Sequence, residues 1–89
     1  MSDVPLFVPI HVGASFLSLR LFRTPGGART AVAFSSSRRL TEVLGDGQPW
    51  TLLSEAGLRG MLRDIGVTGI VLDPAATVTP MARQTAEAA

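Results

Sequence analysis

The sequence predicts an α/β (α+β) domain: a small mixed β-sheet of about four strands, in the order β-β-β-α-α-β, with two helices packed on it. Three observations carry that expectation. Residues 15 to 23 alternate apolar and polar side chains and run into a Pro-Gly-Gly turn, the pattern of a β-hairpin. Leu40 with Val43 and Leu44, and Leu58 with Met61, Leu62 and Ile65, recur at helical spacing behind serines able to cap them. A last segment, Val67 to Leu72, closes on an apolar run of the kind found in a strand covered on both sides or lying centrally.

Length and composition limit what surrounds these elements. With 89 residues, 46% of them hydrophobic and 17% charged, the chain suits one domain without two independent cores, and it is too apolar for a disordered segment. There is no cysteine and a single histidine, His11, so neither a disulfide framework nor a thiolate metal centre is expected, and no cofactor. Met1 to Pro5 lacks a basic region followed by a long apolar one, and the most apolar run, Phe16 to Phe22, is interrupted by Ser18 and Arg20. The expectation is a cytoplasmic protein with no membrane anchor.

The eight basic residues are all arginine, and net charge is +3 over residues 1–45 and −2 over 46–89. That asymmetry is weaker than a nucleic-acid face shows, and Arg20, Arg23, Arg29, Arg38 and Arg39 lack interleaved exposed aromatics, so nucleic acid ranks below protein as a partner. Arginine without any Lys, Tyr or Asn fits compositional bias better than a dedicated set for bidentate anion recognition.

Taken in order, Leu6 to Ile10 is a short strand. Pro9 has no N–H for a ladder, so this strand is expected at an edge or paired on one side only. In Ser15 to Arg23, Leu17, Leu19 and Leu21 share one face and Ser18 and Arg20 the other. Thr24 to Ala28 turns the chain, Pro25 presetting φ and Gly26 supplying the positive φ of a type II turn, and Arg29 to Phe34 returns as the hairpin's second strand. Ser35, Ser36 and Ser37 then open a helix of about two turns that stops at Gly45. Asp46 to Pro49 reads as loop, and Trp50 to Leu53 as a short extended piece that packs the indole.

Ser54 caps the second helix, Glu55 meets its dipole in the first turn, and Gly66 ends it. Glu55 and Arg59 form an i, i+4 pair on its outer side. Gly57 and Gly60 are poor helix formers, expected where the helix comes close to the sheet or a partner. Asp73-Pro74 terminates the last strand. If residues 29–34 and 67–72 are parallel neighbours, the crossover between them should be right-handed. The domain is thus residues 5–74, after a flexible start at 1–4, and 75–89 reads as a mobile tail without an apolar face.

Thr30 to Ser37, the following Arg39-Leu40 helix and the closing Gly66 to Pro74 resemble the SseB-like N-terminal domain, a family named after an enhanced serine sensitivity protein. The order is the same: an early Val-Pro strand, a strand ending in Phe-Ser-Ser before a helix, and a last hydrophobic strand ending in Asp-Pro. The resemblance spans residues 5 to 74. Gln48-Pro49-Trp50 and Leu53-Ser54-Glu55 are similar to motifs in short actinobacterial proteins of that type. The resemblance implies an α/β fold and a cytoplasmic bacterial setting, and it brings no catalytic residues with it.

Three kinds of site are expected to compete. Protein interaction leads: Leu17, Leu19 and Leu21 offer an apolar strand face for self-pairing, as a homodimer, or for strand addition to another protein, and Trp50, where exposed, is an aromatic anchor. An anion or nucleotide comes second, at the helix start Ser36, Ser37, Arg38 and Arg39, where free N–H groups and two guanidiniums coincide. A hydrolase would need His11, Asp73 and one of the serines to converge. Capping by the serines and an Asx turn at Asp73 explain those residues without any catalysis, so no enzyme is expected.

Overall fold

A computed structural model of the chain describes residues 4–75 and 79–80, and its architecture is α+β. Its strands are β1 (Leu6–Val12), β2 (Leu17–Leu19), β3 (Phe22–Arg23), β4 (Arg29–Ala33), β5 (Trp50–Leu53), β6 (Gly69–Leu72) and β7 (Thr79–Pro80). The helices are α1 (Ser37–Leu44) and α2 (Glu55–Arg63). One sheet has the order β2-β1-β5 and is antiparallel; the other has the order β6-β4-β3-β7 and is mixed. An antiparallel bridge joins them, Phe7 and Phe34 exchanging two backbone hydrogen bonds of 2.8 Å.

Strand β4 places the core. Successive side chains of a strand point to opposite faces, so Ala31 and Ala33 enter one buried cluster, with Val8, Leu58, Leu62 and Val67, while Val32 and Phe34 enter another, with Phe22 and Leu40. Helix α2 thus covers one face and α1 the other. The two clusters share a strand and are not independent cores. Thr30 to Ala33 of β4 lie beside Gly69 to Leu72 of β6 in parallel register, as a crossover between these segments requires. Ile70 packs on the first cluster and Val71 on the second, so β6 is covered on both faces although it ends the sheet.

Several local expectations change. Pro9 does not confine β1 to an edge; β1 pairs on both sides and Pro9 is buried. Phe7 gives its N–H to Phe34 on one side, so Leu6 and Val8 hydrogen-bond to β5 on the other, and Pro9 faces Trp50 in a pair that needs no N–H. Toward β2, the Pro9 carbonyl still accepts from Arg20 N–H at 3.1 Å. A single ladder bond is lost.

The long strand expected over residues 15 to 23 is two short ones, because the chain leaves β1 after Leu19 and joins β4 at Phe22. The hairpin survives only at Phe22-Arg23 and Arg29-Thr30. Its turn also differs: Gly27 N–H donates to Thr24 O, and Gly27, not Gly26, takes a positive φ of 94°. This is a type I turn followed by a left-handed residue, a form that matches the twist of the strands it joins.

Both helices begin where the serines predict. The Ser36 hydroxyl accepts from Arg39 N–H and the Ser54 hydroxyl from Gly57 N–H. At the end of α2, Val67 N–H reaches Leu62 O and Gly66 N–H reaches Arg63 O, the double closure typical of a glycine-terminated helix. Only Leu58 and Leu62 of the expected stripe are buried, while Met61 and Ile65 stay exposed, since so small a sheet spans only part of the helix face. Gly57 and Gly60 mark no close approach: a β-carbon at Gly57 would meet only the Ser54 hydroxyl, at 3.2 Å, and one at Gly60 only Arg63 Nη2, at 3.8 Å. Glu55 and Arg59 pair at 3.0 Å. Of the segment expected to be a tail, Thr79 and Pro80 pair with Arg23 and Phe22, and residues 76–78 and 81–89 lie outside the described residues, as do 1–3.

Candidate functional site

The sheet β2-β1-β5 carries most of the apolar surface left open. Its hairpin closes through Gly13 N–H and Phe16 O at 2.8 Å, and Phe16 lies so near Gly13 that a β-carbon there would sit 2.7 Å from the ring. Val12 and Leu17 face each other across the strands, on the same side of the sheet as Ile10 and Leu19. Val12 is 61% exposed, Phe16 65%, Leu17 61% and Met61 44%. Beside Leu17 and Met61 runs a groove of about 190 Å³, lined by Ile10, Leu17, Leu19, Leu53 and Met61 with only Ser18 and Thr51 as polar contributors.

The leucines expected on one free face therefore divide. Leu17 is open, whereas Leu19 and Leu21 are half-buried against the α2 core. Leu19 shares the face of Leu17 but lies nearer the first cluster, and Leu21 lies where the chain has left β1. Met61, which periodicity assigns to a buried helix stripe, completes the surface instead, while Phe16 lies over Gly13 on the other side of the hairpin. The signal that could have found Met61 is its place at the margin of a stripe whose centre is Leu58 and Leu62.

Trp50 lies on the opposite side of the sheet. Its ring meets Phe7 edge-on, with centroids 4.8 Å apart, and it remains 38% exposed beside Leu52 at 49%. Gln48 fixes the approach to this strand: its Nε2 donates to Ile10 O at 2.9 Å and Pro49 O at 2.8 Å, and its Oε1 accepts from Arg20 Nη1. Arg20 also lies over the Phe22 ring, 5.2 Å from its centre. The Gln-Pro-Trp motif is thus a clamp that presents the indole, a role no spacing rule reveals.

Asp73 and Ser35 do meet, but His11 does not join them. The Asp73 carboxylate accepts from Ser35 N–H and from the Ser35 hydroxyl, both at 2.9 Å, and Asp73 N–H donates to Ala33 O. Ser35 continues β4 past Phe34, alongside Leu6, while His11 is five residues farther along β1, or about 16 Å of extended chain. His11 pairs with Ser18, half-buried, with Nε2 enclosed and without a hydrogen bond among the described residues. The arrangement ties the end of β6 to the start of α1. The Ser35 hydroxyl has a carboxylate beside it but no imidazole.

At the helix start, Ser36 caps Arg39 N–H, Arg38 points out and pairs with Glu42 at 3.5 Å, and Arg39 and Ser37 have no side-chain hydrogen bond among the described residues. The Asp73 carboxylate already occupies the neighbouring Ser35 N–H, so an arriving anion would meet negative charge there. A second crevice, of about 290 Å³, lies at the end of α2 between Arg59, Arg63, Gly66 and Thr68. Its Arg59 is engaged by Glu55. Among the described residues no group of three or more His, Cys, Asp or Glu is placed to hold a metal ion, and no helix is long and apolar enough to cross a membrane.

Comparison with protein-family models, with curated proteins and with solved structures finds no match for this chain.

Proposed function

We propose that this chain is a non-enzymatic accessory or interaction domain of a bacterial cytoplasmic protein, of the SseB-like type that its motifs resemble. The observation that carries the reading is the open apolar surface of Leu17 and Met61 at their groove, with exposed Val12 beside Leu17 on the same face. Isolated apolar side chains on a surface need no explanation, whereas Val12, Leu17 and Met61 gathered beside an apolar groove on a hairpin and the adjoining helix are the form of a protein-binding site. The polar groups are committed elsewhere: Asp73, Ser35, Ser36 and Gln48 are all engaged in holding strand ends and helix starts. The partner suited to the groove is an apolar segment of another protein.

Affinity capture from a bacterial lysate, with wild type and Leu17→Asp side by side, tests this. Leu17 is exposed, so the substitution should leave stability within about 0.5 kcal/mol while placing a charge on the groove rim. A protein captured stoichiometrically by wild type and lost with Leu17→Asp is the expected result. An eluate that is the same for both, or that holds only a small phosphate compound, contradicts it.

A further inference from the structure

We propose that the free edge of β5 pairs with the β5 edge of a second copy of this chain, making one continuous antiparallel sheet across a two-fold axis. This rests on the reading of the chain as an interaction domain and names one partner for it. Strand β5 ends the β2-β1-β5 sheet, with no strand on its far side among the described residues. Because Leu6 and Val8 of β1 hydrogen-bond toward β5, Thr51 and Leu53 turn their backbone groups inward to β1. The N–H and C=O groups of Trp50 and Leu52 then point outward, and no backbone partner is found for them among the described residues.

Such edges are usually protected by a charge, a proline or a bulge. Trp-Thr-Leu-Leu has none of these, and from Gln48 to Leu53 there is no charged residue, so two copies bring no like charges together. One symmetric register uses every outward group: Trp50 beside the partner's Leu52, Thr51 beside the partner's Thr51, and Leu52 beside the partner's Trp50. That register makes four backbone hydrogen bonds. It also sets Trp50 and Leu52, the two exposed apolar side chains of this face, directly against each other twice.

The test is sedimentation of the full chain over a wide concentration range, alongside Leu52→Pro and the single-cysteine variants Thr51→Cys and Leu52→Cys. Wild type is expected to reach twice the chain mass. Leu52→Pro, which removes an outward N–H but no bond to β1, is expected to remain at the chain mass. The natural sequence has no cysteine, so any disulfide in the variants joins two chains. Thr51→Cys should oxidise to a covalent dimer, since the axis places the two sulfurs in a pair with Cα atoms about 4.5 Å apart, and Leu52→Cys, two residues out of register with its own copy, should do so far more slowly. A wild type that stays monomeric, a dimer that persists in folded Leu52→Pro, or equal cross-linking of the two cysteine variants overturns the proposal. Should Leu52→Pro fail to fold, the cysteine pair decides alone. Capture of another protein through the Leu17 groove by a strictly monomeric chain would leave the interaction reading standing while this proposal falls.

Discussion

Phe34→Ala is expected to remove about a third or more of the domain's stability. Phe34 is fully buried between Phe22, Val32 and Leu40, and its backbone makes the two hydrogen bonds that join the sheets. Truncating a buried phenylalanine costs about 3–5 kcal/mol, and a domain of this size holds roughly 5–10 kcal/mol in all. Urea unfolding followed by far-ultraviolet circular dichroism and by Trp50 fluorescence should show a midpoint lowered by about a third or more. Phe34→Leu, which keeps most of the volume, should retain a cooperative transition at a lower midpoint. A midpoint for Phe34→Ala close to wild type would mean that the second cluster is not a working part of the core.

Asp73→Ala is expected to cost about 2 kcal/mol, from two separable causes. The carboxylate accepts two hydrogen bonds from Ser35, and their partly exposed setting reduces what they contribute. Asp73 also holds φ at 51°, which aspartate and asparagine tolerate better than alanine. Asp73→Asn keeps the backbone tolerance and one acceptor, so its loss should be about half as large. Equal losses for the two variants in urea titrations would remove backbone conformation from the explanation. No loss in either would show that the link between β6 and the start of α1 is incidental.

These two residues also show how far the sequence could be read. Phe34 was legible as core because Arg29 to Phe34 and the serines after it form a strand running into a capped helix, a local pattern that tertiary structure left intact. Asp73 was legible as a strand terminator with an Asx turn and as a residue that could meet one of the serines, but not as the specific partner of Ser35. Its contact with Ser35 joins residues 38 apart, and no periodicity carries information over that distance. The same divide runs through the candidate surface. Alternation identified the face of Leu17, Leu19 and Leu21, but not the corner at Arg20-Leu21 that ends the strand before Leu21, since that corner arises from pairing with two different strands. Pro9 misled for a related reason: proline excludes one hydrogen bond, and only the register of both neighbours shows that a single bond is lost. Gln48 looked like loop because its role is fixed by Ile10 and Arg20, which are remote in the chain.

The central claim, that the β2-β1-β5 sheet with the edge of α2 is a protein-binding surface, is tested most directly by amide hydrogen exchange on the free chain and on its complex with a captured partner. The expected result is slowed exchange confined to Val12–Leu19 and the neighbourhood of Met61. Protection concentrated instead at Ser35–Arg39, with the hairpin unchanged, would contradict the claim and move the site to the start of α1.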